Sequence, residues 1–585
     1  MRIGLLTEGG YPYVSGDAGL WCDRLVRGLG QHEFDIYALS RSERQEDEGW
    51  IPLPPQVSRV RTAPLWRAEH DGAALGRRAL RRFAQCYGEL AAALCAGGAD
   101  GQGGEPAEGA HTAEADRFSS ALLGLAEVAR DEGGLVGALR SEGAVRALER
   151  ACRAPGALRH AREARVPDLL TVAGRLEQAL RPLSLDWYED DGLGAVDVCH
   201  AAAGGTAALP GLLAAHFFGV PLLVTEYGVR LRTHYLTSGA APAAGGAPHP
   251  EGAGDAPAVR ALLAAFHGRL AAEVYGRAAR VTPGNAHARR WQERCGADPA
   301  KVRMVYPGMN AARFAEVGES PEEREPDTLV WVGRVEPAKD LVSLLHAFAE
   351  VRKEEPKARL RFVVTGTGAE GQAYLGHCRA LAAQLFPDEA DGLHAVGSNP
   401  VSFEELGGHE TATLADAYAC GAVSVLSSVV EGFPVGLVEA MFCGLATVST
   451  DVGAVVEVIG GTGVVVPPRN PRALAEACVA LLRDPERRAR LGAAARARAL
   501  ELFTVEQNIA AFHGIYLELV SSSPVNRVVV DGTGEPLPFG VPAEAHVPGR
   551  WTAPGTRVVA RGGPAWAAGP PVRASVPVPA GEGAR

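Results

Sequence analysis

The sequence has no Cys-x-x-Cys pair among its 10 cysteines. Several cysteines, such as Cys199 and Cys443, lie inside apolar runs. This pattern argues against a disulfide framework or a zinc site and is typical of small core residues in a reducing compartment. No apolar run reaches the roughly 18 residues that a membrane-spanning helix needs. The first residues lack the layout of a signal peptide and predict a strand instead, so we expect a cytoplasmic protein.

Charge and length set further limits. The formal net charge of −11 argues against nucleic acid as a partner, because such proteins carry basic surfaces. A chain of 585 residues is too long for a single hydrophobic core, so two or more domains are expected. The apolar fraction of 47% is that of an ordinary soluble protein.

Short apolar runs alternate with helical patterns in two successive series. This rhythm predicts an α/β protein with two Rossmann-like, doubly wound domains that face a cleft. The first domain is predicted over residues 1–315 and the second over 328–503, joined by an acidic, Pro-rich linker. A last amphipathic helix at 504–520 is predicted to cross back to the first domain. Residues 521–585, rich in Pro and Gly, are predicted to be a disordered tail.

The first domain is predicted to contain a helical insertion at about residues 64–185. The low-complexity run Gly97–Gly109 within it is predicted to be disordered. A solvated helical cap without chemistry is the favoured interpretation of the insertion, and a partner or acceptor surface is the alternative. Ser238–Pro257 is predicted to be a mobile loop. Further short strands are predicted at Val302–Tyr306 and Leu393–Val396.

Strand-to-helix connections of the first domain carry small and polar residues. The first strand, Ile3–Leu6, runs into a Gly-rich connection that includes Gly16 and Asp17. Such connections are where α/β sheets bind phosphates, although an empty loop is the alternative and the spacing is not that of the dinucleotide fingerprint. His200 and Glu226 each end a predicted strand, which is where such sheets place ligands. A lone histidine is nevertheless more often structural.

The stretch Ser427–Met441 has the clearest site features in the second domain. A buried strand, Ala422–Leu426, ends in two serines and a loop, and a helical pattern begins near Val435. Unpaired N–H groups and the helix dipole make such a connection an anion site. Two carboxylates, Glu431 and Glu439, flank it. The alternatives are a helix N-terminal acid for Glu431 and a solvated face for Glu439.

A second loop of this domain carries cations. Arg334 and Lys339 bracket the connection that follows the predicted strand Thr328–Val332. A guanidinium fork and a flexible ammonium suit a diphosphate, although two surface cations are the more common outcome. Gly366 and Gly368 repeat the strand-to-Gly-loop pattern. No Asp-x-Asp metal pair stands near these loops, so no metal site is expected.

Taken in order, these motifs resemble those of the retaining GT4 glycosyltransferases, which have the GT-B fold. Glu431 and Glu439, with seven residues between them, resemble the E-x7-E motif of that family. Gly333-Arg334 and Lys339 resemble its cations on the donor diphosphate. Further matching segments lie at 450–453 and 466–468.

The N-terminal segment Glu8–Val14 and the long insertion resemble the PelF-type branch of that family, whose N-terminal region carries a domain of otherwise unknown role. The resemblance spans about residues 1–520. Three positions depart from the branch: Asp17 stands where a glycine is usual, Tyr227 replaces a histidine, and Pro307-Gly308 replaces Asn-Gly. A carboxylate at 17 would repel a diphosphate unless it faces the acceptor or pairs with a cation.

The resemblance implies transfer of a hexose from a nucleotide-diphosphate sugar, UDP-glucose by default, with retention of configuration and without metal or another cofactor. The acceptor would be a polysaccharide, a glycolipid or a small molecule, and membrane-associated polysaccharide machinery would be a further partner. The first domain would bind the acceptor and the second the donor. Catalytic roles are implied for Arg334, Lys339, Glu431 and His200. Substrate-binding roles are implied for a wider set, mostly in strand-end loops: Gly16, Asp17, Glu226, Gly333, Gly366, Gly368, Gly432, Phe433, Pro434, Val435, Gly436, Leu437 and Glu439.

Two other functions stay open. One is an isomerase or phosphorylase on the same fold. The other is a catalytically weak or inactive scaffold subunit of a polysaccharide synthesis or export complex. The complete set of Arg334, Lys339, Glu431 and Glu439 argues against the scaffold.

Overall fold

The computed structural model describes residues 1–13, 17–67, 74–96, 108–188, 192–239, 255–319, 325–387, 399–408, 411 and 413–523. Four predicted features lie wholly or mostly outside these residues: most of the low-complexity run, the centre of the loop at 238–257, the strand at 393–396 and the tail from 524. Helix α4 begins at Glu108, so the last two residues of the predicted low-complexity run are helical.

The first half of the chain forms a parallel sheet of six strands in the order β3-β2-β1-β4-β5-β6. Its strands are β1 (Arg2–Glu8), β2 (Glu33–Ser40), β3 (Val57–Pro64), β4 (Val198–Ala201), β5 (Leu222–Glu226) and β6 (Arg280–Pro283).

The second half forms another parallel sheet of six strands, in the order β12-β11-β10-β7-β8-β9. Its strands are β7 (Thr328–Val335), β8 (Arg359–Thr367), β9 (Val401–Glu405), β10 (Val423–Leu426), β11 (Ala446–Thr450) and β12 (Val464–Val466).

Both sheets therefore have the doubly wound strand order 3-2-1-4-5-6, and each reverses direction beside its first strand. The switch points lie between β1 and β4 in the first sheet and between β7 and β10 in the second. The predicted fold class, two Rossmann-like sheets of the GT-B kind, is confirmed.

Helices flank both sheets. Those of the first half are α1 (Asp17–Gly28), α2 (Glu43–Asp47), α3 (Arg77–Cys95), α4 (Glu108–Glu132), α5 (Leu135–Leu139), α6 (Glu142–Cys152), α7 (Arg159–Arg162), α8 (Val166–Leu180), α9 (Leu209–Phe218), α10 (Arg230–Gly239), α11 (Pro257–Arg277), α12 (Ala286–Arg294) and α13 (Ala315–Glu319). Those of the second half are α14 (Leu341–Glu354), α15 (Ala369–Leu385), α16 (Leu414–Ala419), α17 (Val435–Phe442), α18 (Val455–Ile459), α19 (Pro471–Arg483), α20 (Pro485–Leu502) and α21 (Val505–Ser522). Among the described residues, no helix combines the length and apolar character needed to cross a bilayer.

The helical segment α3–α8 belongs to the core of the first half and is not an outer cap. Tyr87, Leu90 and Leu122 are buried in one cluster with Leu6 and Tyr37 of the first sheet. One face of that sheet is therefore covered by these helices together with α9 and α11. The insertion lies over the first sheet, as predicted, but its apolar faces have the sheet itself as their partner, so it is more deeply packed than a solvated cap; its lack of chemistry stays a prediction.

The other face of the first sheet is covered by α1 and by the last described helix, α21. Phe512, Ile515 and Tyr516 of α21 are buried in one cluster with Ile3 and Leu5 of β1. The C-terminal helix, although it follows the second sheet in sequence, thus completes the core of the first half.

One predicted strand of the described part does not form. Residues 302–306 make only an isolated parallel bridge, between Val302 and Val281 of β6. The N–H groups of Arg303 and Val305 donate to the carbonyl oxygens of Val281 and Pro283, both in β6. The edge strand β9 at Val401–Glu405 was not predicted. Both errors concern edge positions, where a β-competent segment becomes a strand only if a partner lies beside it.

Candidate active site between the two sheets

The loops after β7 and β10 are tied to each other at the switch point of the second sheet. The Ser427 hydroxyl donates to the carbonyl oxygen of Lys339 at 2.7 Å. The Val429 N–H donates to the carbonyl oxygen of Ala338 at 2.8 Å. Because β7 and β10 are neighbours in the sheet, both connections leave it at the same edge. The loops therefore hold each other in place.

Lys339 and Glu431 form an ion pair within these two loops. The ammonium of Lys339 lies 2.8 Å from Glu431 Oε2, and the Ser428 hydroxyl donates to the same oxygen at 3.0 Å. The two side chains are only 20% and 12% exposed. A lysine has three N–H donors, so this bond leaves Lys339 able to donate to a second anion as well.

Arg334 lies at the end of β7 and points away from the packed core. It is 68% exposed, and its guanidinium lies 3.7 Å from the carboxylate of Glu336. The strand is irregular between Gly333 and Arg334, and Arg334 then pairs with Gly366 of β8. The stem of Arg334 lies beside Gly366, since a Cβ at that glycine would be 3.9 Å from the Arg334 Cγ. The exposed guanidinium is thus available to a ligand.

A glycine spacing in this half was overlooked in the sequence. Residues 366–371, Gly-Thr-Gly-Ala-Glu-Gly, have the G-x-G-x-x-G pattern between strand β8 and helix α15. A Cβ on Gly371 would lie 2.3 Å from the carbonyl oxygen of Val335. The third glycine therefore allows close packing of a helix on a strand, as it does in nucleotide-binding βα turns. Gly368 precedes the helix as its N-cap and has open space around it.

The turn from Gly432 to Leu437 offers fewer free N–H groups than the sequence suggested. The N–H groups of Val435 and Leu437 donate to the carbonyl oxygens of Phe433 and Pro434 at 3.0 and 3.1 Å. The Gly436 N–H makes no hydrogen bond within the described part of the chain. Open space surrounds the position of a Cβ on Gly432, so a ligand can approach its backbone. Of this turn, Gly432 and Gly436 are the residues open to an anion.

Side chains of the same turn are divided between core and surface. Leu437 is buried, Val435 is 46% exposed, and Phe433 packs edge-to-face on Phe503 with ring centroids 5.7 Å apart. Gly453 packs directly against the backbone of this turn. Its φ is +57°, and a Cβ at this position would lie 2.2 Å from the carbonyl oxygen of Glu431. Only glycine fits that position.

Glu439 is held by a tyrosine beneath the helix. The Tyr418 hydroxyl lies 3.0 Å from Glu439 Oε2 and also 3.0 Å from the carbonyl oxygen of Gly436. Burial and the neighbouring Glu439 charge raise the pKa of Tyr418 well above its usual range, so the tyrosine stays a donor. Glu439 is thereby oriented, and it is not merely part of a solvated face.

Arg232 of the first half reaches the loop that carries Glu431. Its guanidinium donates to the Glu431 carbonyl oxygen at 3.4 Å, which joins α10 to the loop after β10. The side chain is half-buried and makes no ion pair with a carboxylate in the described residues. Burial lowers the pKa of Arg232, and the charge of Glu431 opposes that shift. A partly desolvated cation without a bonded carboxylate favours binding of an anion.

Sequence reasoning did not select Arg232. It lies six residues beyond Glu226, which was the residue selected at this strand end, and it belongs to the first turn of α10. The signal that could have found it is positional: the connection after β5 leaves the first sheet at the edge where ligands bind.

Glu226 is built into the protein interior. It is 4% exposed, accepts a hydrogen bond from the Arg230 N–H at 3.1 Å, and accepts another from the Tyr275 hydroxyl. Burial raises the pKa of Glu226. A Cβ on Gly204 would lie 2.8 Å from its carboxylate. The side chain fixes the loops after β4 and β5, so the predicted contact with substrate is not supported by the geometry.

A second carboxylate at this edge holds two arginines. Glu8 Oε1 accepts from Arg230 at 2.9 Å and from Arg41 at 3.0 Å. Burial alone would raise the pKa of Glu8, but the charges of Arg230 and Arg41 outweigh it and lower the pKa. The network joins the ends of β1 and β2 to α10, the helix that presents Arg232.

His200 does not occupy the catalytic position that was predicted. It is fully buried, and its ring nitrogens Nδ1 and Nε2 lie 2.7 Å from the hydroxyls of Tyr516 and Thr225, respectively. Burial lowers the pKa of His200 to about 3, so the ring is neutral. Helix α21 covers the histidine, which therefore acts in the core and has no free nitrogen for a substrate.

Two predicted residues, Gly16 and Asp17, and two positions that depart from the resembled branch remain to be considered. Gly16 lies outside the described residues, and Asp17 begins α1, with its side chain not described. Tyr227 packs edge-to-face on Trp21 and fills space that Gly284 leaves open, since a Cβ there would lie 2.4 Å from the Tyr227 ring. Gly308 allows a close approach of α21, because a Cβ would lie 2.9 Å from the Val505 backbone. Tyr227, the departure at that position, therefore serves packing, and Gly308 is the glycine that the pair Pro307-Gly308 shares with the usual Asn-Gly.

No group of three His, Cys, Asp or Glu side chains in the described residues is arranged to hold a metal ion. The cations that the site offers are Arg232, Arg334 and Lys339.

Two protein families match the chain in succession. Residues 1–300 match a domain of unknown function (DUF3492), and residues 326–484 match the glycosyl transferases group 1. The second match covers the strands and loops that carry Arg334, Lys339, Glu431 and Glu439.

Among curated proteins, the chain is similar to D-inositol 3-phosphate glycosyltransferases. It is 32% identical over 235 residues to that of Streptomyces bingchenggensis, which is 38% of this chain and 49% of the relative. It is 34% identical over 238 residues to that of Kineococcus radiotolerans, which is 37% of this chain and 52% of the relative. The chain thus spans about half the length of the curated relatives it matches.

Among solved structures, the chain is similar to a sucrose-phosphate synthase from Thermosynechococcus elongatus, with a TM-score of 0.51, 16% identity, and coverage of 89% of this chain and 100% of the other. It is also similar to Anabaena HepE in complex with UDP, with a TM-score of 0.50, 13% identity, and coverage of 88% and 99%. At such identities these likenesses show the GT-B fold alone. Because the first match covers half of the chain, the protein belongs to the DUF3492 family, in which this member continues into a glycosyl transferases group 1 domain.

Proposed function

We propose that the protein is a retaining glycosyltransferase of the GT4 kind, related to the PelF-type branch. It moves a hexose from a nucleotide-diphosphate sugar, with UDP-glucose as the default donor, to a carbohydrate or glycolipid acceptor. The similarity to D-inositol 3-phosphate glycosyltransferases supports a glycosyltransferase, and the UDP in the HepE complex supports a uridine nucleotide as the first donor to test.

The observation that carries the proposal is that two cations contact the Glu431 loop and a third ends the neighbouring strand. Lys339 contacts the Glu431 carboxylate, Arg232 contacts the Glu431 carbonyl, and Arg334 stands exposed at the end of the neighbouring strand. Transfer of a glycosyl group leaves negative charge on the departing diphosphate. Cations fixed beforehand around that position stabilise the charge as it develops.

The two glutamates act in this mechanism as hydrogen-bond acceptors. Glu431, anchored by Lys339 and Ser428, would receive hydroxyls of the donor sugar, and Glu439, held by Tyr418, would receive those of the ribose. The free N–H of Gly436 would donate to a phosphate oxygen. Neither carboxylate serves as general acid or base. The acceptor would attack from the face that the diphosphate leaves, which accounts for retention without a carboxylate nucleophile.

Contact between the two halves is part of the same proposal. Arg232 belongs to the acceptor-side half, and its contact with the Glu431 loop brings a cation across the cleft. Closing the halves over the donor excludes water and so suppresses hydrolysis of the nucleotide sugar.

The first test is the variant Arg334→Ala. Turnover, measured as release of nucleoside diphosphate from the donor, is expected to fall by orders of magnitude while the Tm stays unchanged, because the side chain is exposed. Arg472→Ala is the matched control, since Arg472 is 88% exposed on α19 and distant in sequence from these loops. Turnover near that of the control would refute the diphosphate role of Arg334.

The second test is a panel of UDP, GDP and ADP sugars in thermal unfolding. A donor that binds only the folded state raises the Tm, and the stabilisation grows with the logarithm of its concentration once that exceeds the Kd. One nucleotide sugar of the panel is expected to do so. If none shifts the Tm, the scaffold function is favoured over the transferase.

A further inference from the structure

A pocket outside the donor loops lies at the outer end of the first sheet. It has a volume of about 540 Å³ and is lined by Tyr13, Glu46, Gly49, Trp50, Thr62 and Pro64. Its size falls within the roughly 300–1,000 Å³ common for small-molecule sites. Thr62 and Pro64 stand at the carboxyl end of β3, and the other residues come from the segments that follow β1 and β2.

Trp50 is the principal side chain of this pocket. It is 49% exposed, yet its backbone is fixed by an antiparallel bridge to Tyr13, and the neighbouring Ile51 N–H donates to the Pro12 carbonyl at 3.0 Å. Backbone pairing thus fixes the position of Trp50 in the chain, although its indole ring is only half-buried. Half of a large aromatic surface remains open toward a concave space, which is a position for a ligand with a flat apolar face.

The polar groups around Trp50 limit the chemistry of that ligand. Glu46 and Thr62 are exposed and supply a carboxylate and a hydroxyl, and among the described residues no Lys, Arg or His lines the pocket. A phosphate or carboxylate ligand would meet Glu46 without a compensating cation. Gly49, with φ of +75° and open space where a Cβ would stand, leaves room beside the indole. The lining suits a neutral molecule with several hydroxyls and one apolar face, which describes a hexose ring.

The pocket lies on the same edge of the sheet as the candidate active site. The carboxyl ends of β1 to β5 all face that edge, and α10, the helix that follows β5, carries Arg232, which contacts the Glu431 loop. The strand order places β3 two strands from β1, a separation of roughly 10 Å at about 4.8 Å per strand. A ligand that occupies both the pocket and the cleft must therefore be longer than one sugar.

We propose that this pocket is a distal subsite for the acceptor, holding a neutral hexose unit of a saccharide chain whose end lies in the cleft. The inference rests on the proposed function, since it assumes that the cleft transfers a sugar. It narrows the acceptor class to an oligosaccharide or polysaccharide and disfavours a phosphorylated lipid or a monosaccharide.

The test uses the full chain and three neutral probes: maltohexaose, cellohexaose and chitohexaose. Binding is measured by calorimetry in the presence and absence of UDP. At least one hexaose is expected to bind, and glucose should bind about tenfold more weakly or worse, because a monosaccharide cannot span both positions. Failure of all three hexaoses to bind would refute the proposal.

Variants then assign the binding to the pocket. Trp50→Ala is expected to weaken the hexaose by about tenfold through loss of the stacking surface, whereas Trp50→Phe, which keeps an aromatic face, retains most of the affinity. Phe218→Ala, which removes another partly exposed aromatic outside the pocket, is the control. Equal hexaose affinity of Trp50→Ala and the control would refute the proposal. Glycerol phosphate is a further, charged probe, and its binding in the absence of binding by any hexaose would also refute the proposal.

The outcome is separable from that of the proposed function. If a nucleotide sugar raises the Tm of the wild type and of Trp50→Ala alike, the donor site is intact regardless of what the hexaoses do. If a hexaose binds through Trp50 while no nucleotide sugar binds, the pocket is a saccharide site and the transferase proposal is the part that fails.

Discussion

The guanidinium of Arg232 lies 3.4 Å from the carbonyl oxygen of Glu431, and this contact joins the first half of the chain to the loop that bears the Lys339–Glu431 ion pair. Arg232 is half-buried and lacks an ion pair with a carboxylate among the described residues. Its positive charge is therefore directed at the cleft and is left without full compensation until an anion arrives.

Replacing Arg232 with alanine should lower turnover roughly tenfold to a hundredfold, the loss expected for a charge-assisted hydrogen bond of about 1.5–3 kcal/mol. The Tm should change little, because the side chain bonds only one carbonyl. Arg232→Lys should recover part of the activity. Arg289→Ala, which removes an exposed arginine of α12, serves as control. An Arg232→Ala enzyme with normal turnover would show that the contact is only structural.

The Lys339–Glu431 pair should show coupling in a double-mutant cycle. Lys339→Met leaves a largely buried carboxylate without its cation, so it should destabilise the fold by more than the double variant Lys339→Met/Glu431→Gln does. The coupling free energy in urea unfolding should fall within about 0.5–3 kcal/mol. Every variant that lacks Lys339 should bind UDP more weakly. Strictly additive effects on unfolding would contradict the ion pair.

His200 should influence the pH dependence of stability. Its pKa in the folded protein is about 3, below the unfolded value of roughly 6.5. Between these values the unfolded state binds the extra proton, so stability falls as the pH drops below about 6.5, by up to roughly 1.4 kcal/mol per pH unit. His200→Asn should be less stable at pH 7.5, because bonds to Tyr516 and Thr225 are lost, yet its pH slope should be shallower.

Urea unfolding of both proteins between pH 5 and 7.5 checks this prediction; other groups titrate in both, so the difference between the slopes isolates His200. Equal slopes would refute the neutral, buried histidine. A separate measurement is the turnover of His200→Asn, corrected for the folded fraction. A loss of several orders of magnitude would support the catalytic role that the sequence predicted for His200.

Glu457 should control how firmly the two halves are joined. Its carboxylate accepts from the Ala286 N–H at 2.6 Å and from the Tyr306 hydroxyl at 2.8 Å, so a residue of α18 caps a helix of the first half. Glu457→Ala should loosen the junction, seen as a larger radius of gyration in solution scattering and faster proteolysis near residue 320. Glu476→Gln on the exposed face of α19 is the control. Unchanged scattering and proteolysis would mean that other contacts hold the halves.

Much of the architecture could be predicted because its signals are local. The start of helix α19 has such a signal, since Asn470 and Pro471 open it with an N-cap and a proline in the first turn. Strand ends with small residues predicted one edge of each sheet as the place for a ligand, and the positions of Glu431 and Glu439 predicted two carboxylates that flank one strand-to-helix connection. The roles of these residues, however, stay predictions.

The errors share one physical cause, which is that a distant segment decides the outcome. His200 ends a strand, as predicted, but Tyr516, 316 residues further along the chain, covers it. The segment 302–306 has β propensity but makes only one bridge at the sheet edge. Arg232 looked like one arginine among many until its contact with the Glu431 loop was visible.

By itself, the sequence determined that the chain forms two βα series with glycine-containing loops at the strand ends, because periodicity, capping residues and glycines act over a few neighbouring positions. Only the tertiary structure decided which side chains are free to act. In the folded chain, His200 and Glu226 are buried, whereas Arg334 is exposed. Lys339 pairs with Glu431, and Arg232 of the first half contacts the Glu431 loop. Burial and ion pairing depend on what packs against a residue, and here the packing partners lie up to 316 residues away.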